Sequence, residues 1–224
     1  MQIIELINLG SKKLKSNDID SNKLDSEILL SKVLNKRREE LLLNLNQKVT
    51  QKKINNFINL IGRRYEKEPI AYILQEKEFW SKDFQVDKNT LIPRPETELM
   101  VEKIVQIFKE KKIFILDIGT GSGCILLSIL SELKDSKGIG IDKSKRAILV
   151  AKQNLKKHKL SGKTKFYVRS VDDIYSKKFD LVVSNPPYIM KKDLKNLQDD
   201  IKKFEPKLAL DGGNDGLDVI KKVI

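Results

Sequence analysis

Apolar residues in the first third of the chain recur at helical spacing. Ile54, Phe57, Ile58, Ile61 and Tyr65 stand at i, i+3, i+4, i+7 and i+11, which is one face of a helix. Thr50 is placed to cap its start, and Pro69 to close the segment, since proline cannot continue a helix interior. Ser21 or Asp20 would cap a second helix whose face is Leu24, Ile28, Leu29 and Val33. Ile3, Ile4 and Ile7 make a first face, and Leu41, Leu42 and Leu45 a shorter one. Residues 1–74 hold no run that reads as a buried strand, so the pattern predicts a small bundle of four short helices. It carries no visible chemistry. A module that binds or orients a substrate is expected there, with a mere folding appendage as the competing reading.

The period changes after residue 74. Glu78 to Val86 brings three aromatics in loose alternation and predicts a hairpin within a linker over 75–92. Leu91-Ile92-Pro93-Arg94-Pro95-Glu96-Thr97-Glu98 follows. Its prolines keep the chain extended, and its acidic residues favour a helix start over Leu99, Val101, Ile104, Val105 and Phe108. This lead-in reads as a plain linker or as a cover across a ligand cleft. Short strand-like runs at 113–116, 138–141, 165–169 and 179–183 alternate with helical patterns. That alternation predicts a parallel sheet and an α/β domain over 93–224.

Composition narrows the class. The 224 residues are 40% hydrophobic and 33% charged, as expected of a soluble protein with a real core. No run reaches the roughly eighteen apolar residues of a membrane span. The N-terminus lacks the basic start, apolar block and cleavage site of a secretory signal. The single cysteine, Cys124, allows no internal disulfide, and with one histidine, His158, no zinc site is expected. His158 itself reads as solvated or as a helix C-cap. A net charge of +13 raises nucleic acid as a partner, yet only seven of the 44 basic residues are arginines, the type that makes forked contacts to phosphate and guanine. The expectation is a cytoplasmic monomer with no membrane contact and no requirement for nucleic acid.

Asp117-Ile118-Gly119-Thr120-Gly121-Ser122-Gly123 follows the 113–116 run directly. Glycines after a strand let the backbone turn tightly and let a ligand approach the next helix closely. A dinucleotide fingerprint would want glycine or alanine where Cys124 stands, and no lysine follows as in a P-loop. Asp117 suits an ammonium group, and Asp142, after the second run, suits two ribose hydroxyls. Asp172 or Asp173 is placed to meet an adenine amino group, or is a loop carboxylate. S-adenosylmethionine carries an amino-acid end, a ribose and an electrophilic methyl on sulfonium. It is the expected cofactor, and no metal is expected.

Ser184-Asn185-Pro186-Pro187-Tyr188 closes the last run. Two prolines make a stiff extended turn at a strand's carboxyl end, where open α/β sheets bind ligands. Asn185 offers an amide, Pro186 a carbonyl with no N–H of its own, and Tyr188 a flat wall. Such a set would grip a planar group bearing NH2, with two acceptors taking its two protons. A structural turn with a buried Asn is the bland alternative.

Together these pieces resemble the HemK-type protein-(glutamine-N5) methyltransferases. The resemblance runs through Pro69-Ile70-Ala71-Tyr72, Glu78-Phe79-Trp80, LIPRPETE at 91–98, DIGTGSG at 117–123, Asp142, SNPPYI at 184–189, FEPKLAL from 204, and the DGG and DGLD phrases up to 218. It implies a Rossmann-like class I S-adenosylmethionine-dependent methyltransferase domain behind a small helical bundle. It also implies methylation of the glutamine in the Gly-Gly-Gln loop of peptide chain release factors. Asn185, Pro186 and Tyr188 would then be catalytic, and Pro187 would join them in binding substrate. Asp117, Gly119, Thr120, Gly121, Ser122, Gly123, Asp142, Asp172 or Asp173, and Asn185 would hold the cofactor. Family members continue past the DGLD helix with further strands, so missing C-terminal strands are expected in a chain ending at Ile224. NPPY is shared with enzymes that methylate exocyclic amines of RNA or DNA bases, which is the alternative function. A truncated, non-catalytic module binding a translation factor is another.

Overall fold

A computed structural model describes residues 1–174 and 178–224 and divides into two compact units, Met1–Leu74 and Gln75–Ile224. The first unit holds α1 (Ile3–Lys15), α2 (Asn22–Leu34), α3 (Arg38–Leu42), α4 (Gln51–Tyr65) and α5 (Ile70–Leu74). There are five helices rather than the expected four because Pro69 does not end the region. Its carbonyl accepts from the Tyr72 and Ile73 amides and so opens α5, a place where proline's missing N–H costs nothing. The core gathers Ile3, Leu6, Ile7, Leu29, Leu30, Phe57 and Ile61. A Cβ at Gly10 would come within 2.8 Å of the Phe57 ring, so α1 packs closely on its neighbours. Ser26 Oγ then reaches the Ile7 carbonyl at 2.9 Å. This approach turns α2 away from its expected face: Ser26, Leu29 and Leu30 are buried and Leu24 is exposed. On α4, Ile54, Phe57 and Ile61 point inward as expected, whereas Ile58 is exposed.

The second unit opens with the hairpin β1 (Glu76–Phe79) and β2 (Lys82–Gln85), paired antiparallel with Glu76 opposite Gln85. Trp80 and Ser81 form its turn at φ 53° and 52°, the left-handed pair that a two-residue hairpin connection requires. The Trp80 amide donates to Glu98 at 2.9 Å and its indole to Glu132 at 3.0 Å. Phe79 and Phe84 are buried in the core of this unit.

Behind the hairpin come α6 (Glu98–Phe108), β3 (Phe114–Ile118), α7 (Cys124–Glu132), β4 (Lys137–Asp142), α8 (Lys145–Lys157), β5 (Thr164–Val168) and β6 (Leu181–Ser184). The four long-range strands are parallel in the order β5-β4-β3-β6. Successive residues on β3 face opposite sides of the sheet. Ile115 joins Val101, Leu126, Leu130, Ile148 and Phe166 in the larger core, and Leu116 joins Ile118 and Ile141 in the smaller one. The expected buried run at 181–183 is only half buried: Val183 is enclosed and Val182 exposed, because β6 is an edge of this sheet. His158 caps α8 but is not simply solvated. Its ring lies 4.6 Å from that of Phe84, and burial lowers its pKa. The short helices α9 (Asp199–Phe204) and α10 (Ile220–Val223) follow β6.

Candidate active site

Strand order reverses between β3 and β6, since β4 and β5 lie to one side of β3 and β6 to the other. The carboxyl ends at such a reversal splay apart and leave a crevice. A cavity of about 270 Å³ occupies it, near the lower end of small-ligand sites. Its walls include Gly119, Thr120, Gly121 and Ser122 after β3, Asp142 after β4, and Asn185 and Pro187 after β6.

The glycine turn is built from both backbone and side chain. Gly119 and Gly121 adopt φ of +70° and +54°, a region closed to most side chains. A Cβ on Gly119 would meet nothing within 4 Å, so this backbone faces open space. The Gly119 and Thr120 amides donate to the Ile141 carbonyl at 2.9 and 3.0 Å, locking the turn against β4. Gly123, at φ +81°, stands at the N-cap of α7 and outside the cavity lining; a Cβ there would lie 3.0 Å from the Phe166 ring.

Two carboxylates stand at this turn. Asp117 is fully buried at the end of β3; the Thr120 hydroxyl donates to its Oδ2 at 2.6 Å. Its Oδ1 has no hydrogen-bond partner among the described residues. Burial pushes the Asp117 carboxyl up to about 7, the Thr120 bond lowers it, and the Asp142 charge raises it further. Asp142 accepts the Gly121 amide at 3.0 Å on Oδ2 and the Ser144 amide at 2.8 Å on Oδ1. Burial raises its pKa and these two bonds pull it down. Each oxygen keeps a lone pair for a ligand hydroxyl. Cys124 adjoins the cavity, but burial pushes its thiol up to about 12, so it is a neutral wall and not a nucleophile.

Asn185 and Pro187 line this cavity, whereas Pro186 borders an adjacent hollow with Met100, Val182 and Val183. Tyr188 is 65% exposed and lies outside the cavity lining. The turn is pinned from both ends. The Ser184 hydroxyl donates to the Ile118 carbonyl at 2.8 Å, bracing β6 on β3. The Ile189 amide donates to Leu210 O at 3.1 Å, and the Gly212 amide to Ile189 O at 2.9 Å. Gly216, at φ +78°, leaves room for Tyr188 O, which a Cβ would approach to 2.6 Å. Asp172 and Asp173 stand outside the lining, although Val171 belongs to it. The Asp172 carboxylate receives Lys222 Nζ at 2.8 Å, and Asp173 caps the Ser170 amide at 2.8 Å.

Two features, Asn154 and the Arg94–Glu205 pair, escape a reading of the chain alone. Asn154 of α8 is fully buried; its amide donates to Ser122 O at 2.9 Å and Gln85 O at 3.0 Å, while its Oδ1 accepts from Gln85 N at 2.7 Å. Arg94 Nη2 pairs with Glu205 Oε1 at 2.6 Å. Leu91, Pro93 and Arg94 line the cavity together with Leu208 and Ala209, which agrees with the cleft-cover reading of the 91–94 lead-in.

Residues 5–74 match the model of the PrmC N-terminal domain, and residues 95–212 that of the methyltransferase small domain. A release factor glutamine methyltransferase of Buchnera aphidicola subsp. Acyrthosiphon pisum is 41% identical over 210 residues, covering 94% of this chain and 75% of that relative. Its namesake in Caulobacter vibrioides is 35% identical over 219 residues, covering 97% and 76%. Among solved structures, the hMettl16 catalytic domain in complex with MAT2A 3'UTR hairpin 6 aligns with a TM-score of 0.53 over 80% of this chain and 65% of its own. At 16% identity that likeness is one of fold, a class I methyltransferase sheet. Family models over both units and close relatives over nearly the whole chain agree: the protein belongs to the release factor glutamine methyltransferase family.

Proposed function

We propose that this chain methylates the side-chain amide nitrogen of the glutamine in the Gly-Gly-Gln loop of peptide chain release factors, with S-adenosylmethionine as donor. One observation carries the reading. Residues 119–122, Asp142, Asn185 and Pro187 line a single cavity at the sheet's switch point, and the buried Asp117 is joined to that lining through the Thr120 hydroxyl. The residues fit the cofactor: Asp117 Oδ1 is a buried acceptor without a partner, the backbone at Gly119 opens on space, and Asp142 keeps lone pairs for hydroxyls. Asp117, the 119–123 turn and Asp142 would hold it, and Asn185 would stand between it and the substrate. When bound, it supplies a methyl group made electrophilic by sulfonium.

The chain's own task is to hold an amide nitrogen in line. That nitrogen is a poor nucleophile because its lone pair is delocalised into the carbonyl. The Asn185 side-chain oxygen accepts one N–H and the Pro186 carbonyl the other, which fixes the nitrogen's orientation and returns electron density to it. Positioning of this kind can contribute about 7–11 kcal/mol. Pro186 and Pro187 stiffen the turn, and Tyr188, exposed beside it, is available to pack on an incoming loop. The helical unit, residues 1–74, orients the release factor. Residues 75–92 serve as hairpin and lead-in, and 93–224 as the transfer domain. The protein works as a cytoplasmic monomer on a protein substrate; its lone cysteine and arginine-poor basic surface agree with that setting.

A transfer assay with labelled donor decides between substrates. Purified release factor and bulk RNA and DNA are offered side by side. Label on the release-factor glutamine alone is expected. Label only on nucleic acid would overturn the reading in favour of exocyclic-amine chemistry.

A further inference from the structure

Two segments far apart in the chain contribute walls to the cavity. Leu91, Pro93 and Arg94 form one, and Pro206, Leu208 and Ala209 the other. An ion pair joins them, Arg94 Nη2 to Glu205 Oε1 at 2.6 Å, across 111 residues of sequence. The Glu205 side chain is 1% exposed and that of Arg94 35%. Burial raises the Glu205 pKa and Arg94 pulls it back. Its second oxygen has no hydrogen-bond partner among the described residues. A buried ion pair is a poor way to gain stability, because two apolar residues of the same volume often do as well. What it adds is direction, since a guanidinium fork accepts few geometries.

The second wall is bonded onward. The Ala209 amide donates to Pro206 O at 2.9 Å and the Leu210 amide to Lys207 O at 3.0 Å, so this segment turns as a rigid piece. Leu210 O then accepts from the Ile189 amide, one residue beyond Tyr188. A connected path therefore runs from the lead-in through Arg94 and Glu205 to the Asn185–Tyr188 turn.

We infer that Arg94 and Glu205 are positioning residues: their ion pair sets the separation of the two cavity walls and, through the Leu210–Ile189 bond, the placement of the Asn185 turn. Its kinetic consequence rests on the proposed methyl-transfer function; the tie between the walls does not.

Three variants test it: Glu205→Gln, Arg94→Met at a site one-third exposed, and Arg94→Lys, which keeps the charge without the fork. In ligand-free protein, amide exchange across 90–94 and 207–212 is expected to speed up about tenfold in Arg94→Met, with β5 unchanged. Affinity for S-adenosylhomocysteine, by calorimetry, is expected to fall roughly five- to thirtyfold. In release-factor methylation kcat should fall about a hundredfold with KM little changed. Arg94→Lys should recover part of each loss. A purely structural role would lower the melting temperature and leave local exchange, affinity and the kcat-to-KM split at parent values. Parent-like exchange and affinity in Arg94→Met would overturn the inference, even if Glu205→Gln fails to fold. Should the parent chain methylate no release factor, the proposed function fails, while exchange and calorimetry still decide the tie.

Discussion

The two units bury charge in opposite ways. In the helical unit, Asp25 and Glu27 are almost fully enclosed, and each is closed off by an arginine: Arg64 at 2.6 Å and Arg38 at 2.6 Å. Ser21 adds a second bond to Asp25 at 2.8 Å. In the sheet unit, Asp117 and Glu205 are as deeply buried, yet each keeps one oxygen without a partner among the described residues. A buried polar atom left open costs about 1–3 kcal/mol. In the first unit the polar groups complete a packing arrangement. In the second they stand directly behind the cavity lining, Asp117 bonded to Thr120 and Glu205 to Arg94.

The sharpest way to break this comparison is Arg64→Met. If Asp25 is a closed structural pair, removing its partner strands a buried carboxylate and should cost roughly 3–5 kcal/mol. Chemical denaturation would read it, and a loss below about 1 kcal/mol would show the pair to be incidental. S-adenosylmethionine affinity of the folded fraction should stay at the parent value. Asp142→Ala is the converse case: a stability loss of about 0.5–2 kcal/mol from the freed Gly121 and Ser144 amides, and a loss on the order of 1.5–3 kcal/mol in cofactor binding by calorimetry. Equal affinity in variant and parent would remove Asp142 from the site.

A further effect should follow pH. Burial raises the Asp117 carboxyl from its ordinary 3.8 to about 7. Stability from a carboxyl raised in the fold is complete below the unfolded value and is lost as pH climbs through the folded one. The ligand-free protein should therefore weaken between about pH 4 and pH 7, and Asp117→Asn should flatten that slope in melting experiments. A cationic ligand group at Asp117 reverses the preference. Cofactor affinity should rise toward pH 7 by at most about tenfold per unit and then level off. A profile identical in parent and Asp117→Asn would show that Asp117 does not meet the ligand's charge.

Legibility in the sequence follows the same divide. That the glycine turn, Asp142 and Asn185 come together was readable because the pattern is local: strand, tight turn, then a polar group within a few residues. That the four strands run parallel was readable from alternating periods; their order in the sheet was not. Long-range pairing was not. Arg94 and Glu205 look like ordinary surface charges until the fold joins them, and Asn154 sits in α8 among residues that read only as a packing helix. The α2 face was misplaced because Gly10, on another helix, dictates which residues approach closely. Tyr188 was expected as a wall, yet its backbone is fixed by Gly216 and its ring is exposed.

The central claim is that Asn185 orients the substrate amide, and Asn185→Ala tests it most directly. Removing the acceptor leaves the nitrogen misaligned, and a displacement of about an ångström can cost about a hundredfold in rate. Single-turnover methylation of a release factor should slow by about that factor. S-adenosylmethionine affinity is measured separately, because Asn185 also lines the cofactor cavity; saturating donor should not restore the rate. An Asn185→Ala protein that binds the donor and methylates the release-factor glutamine at close to the parent rate would contradict the account.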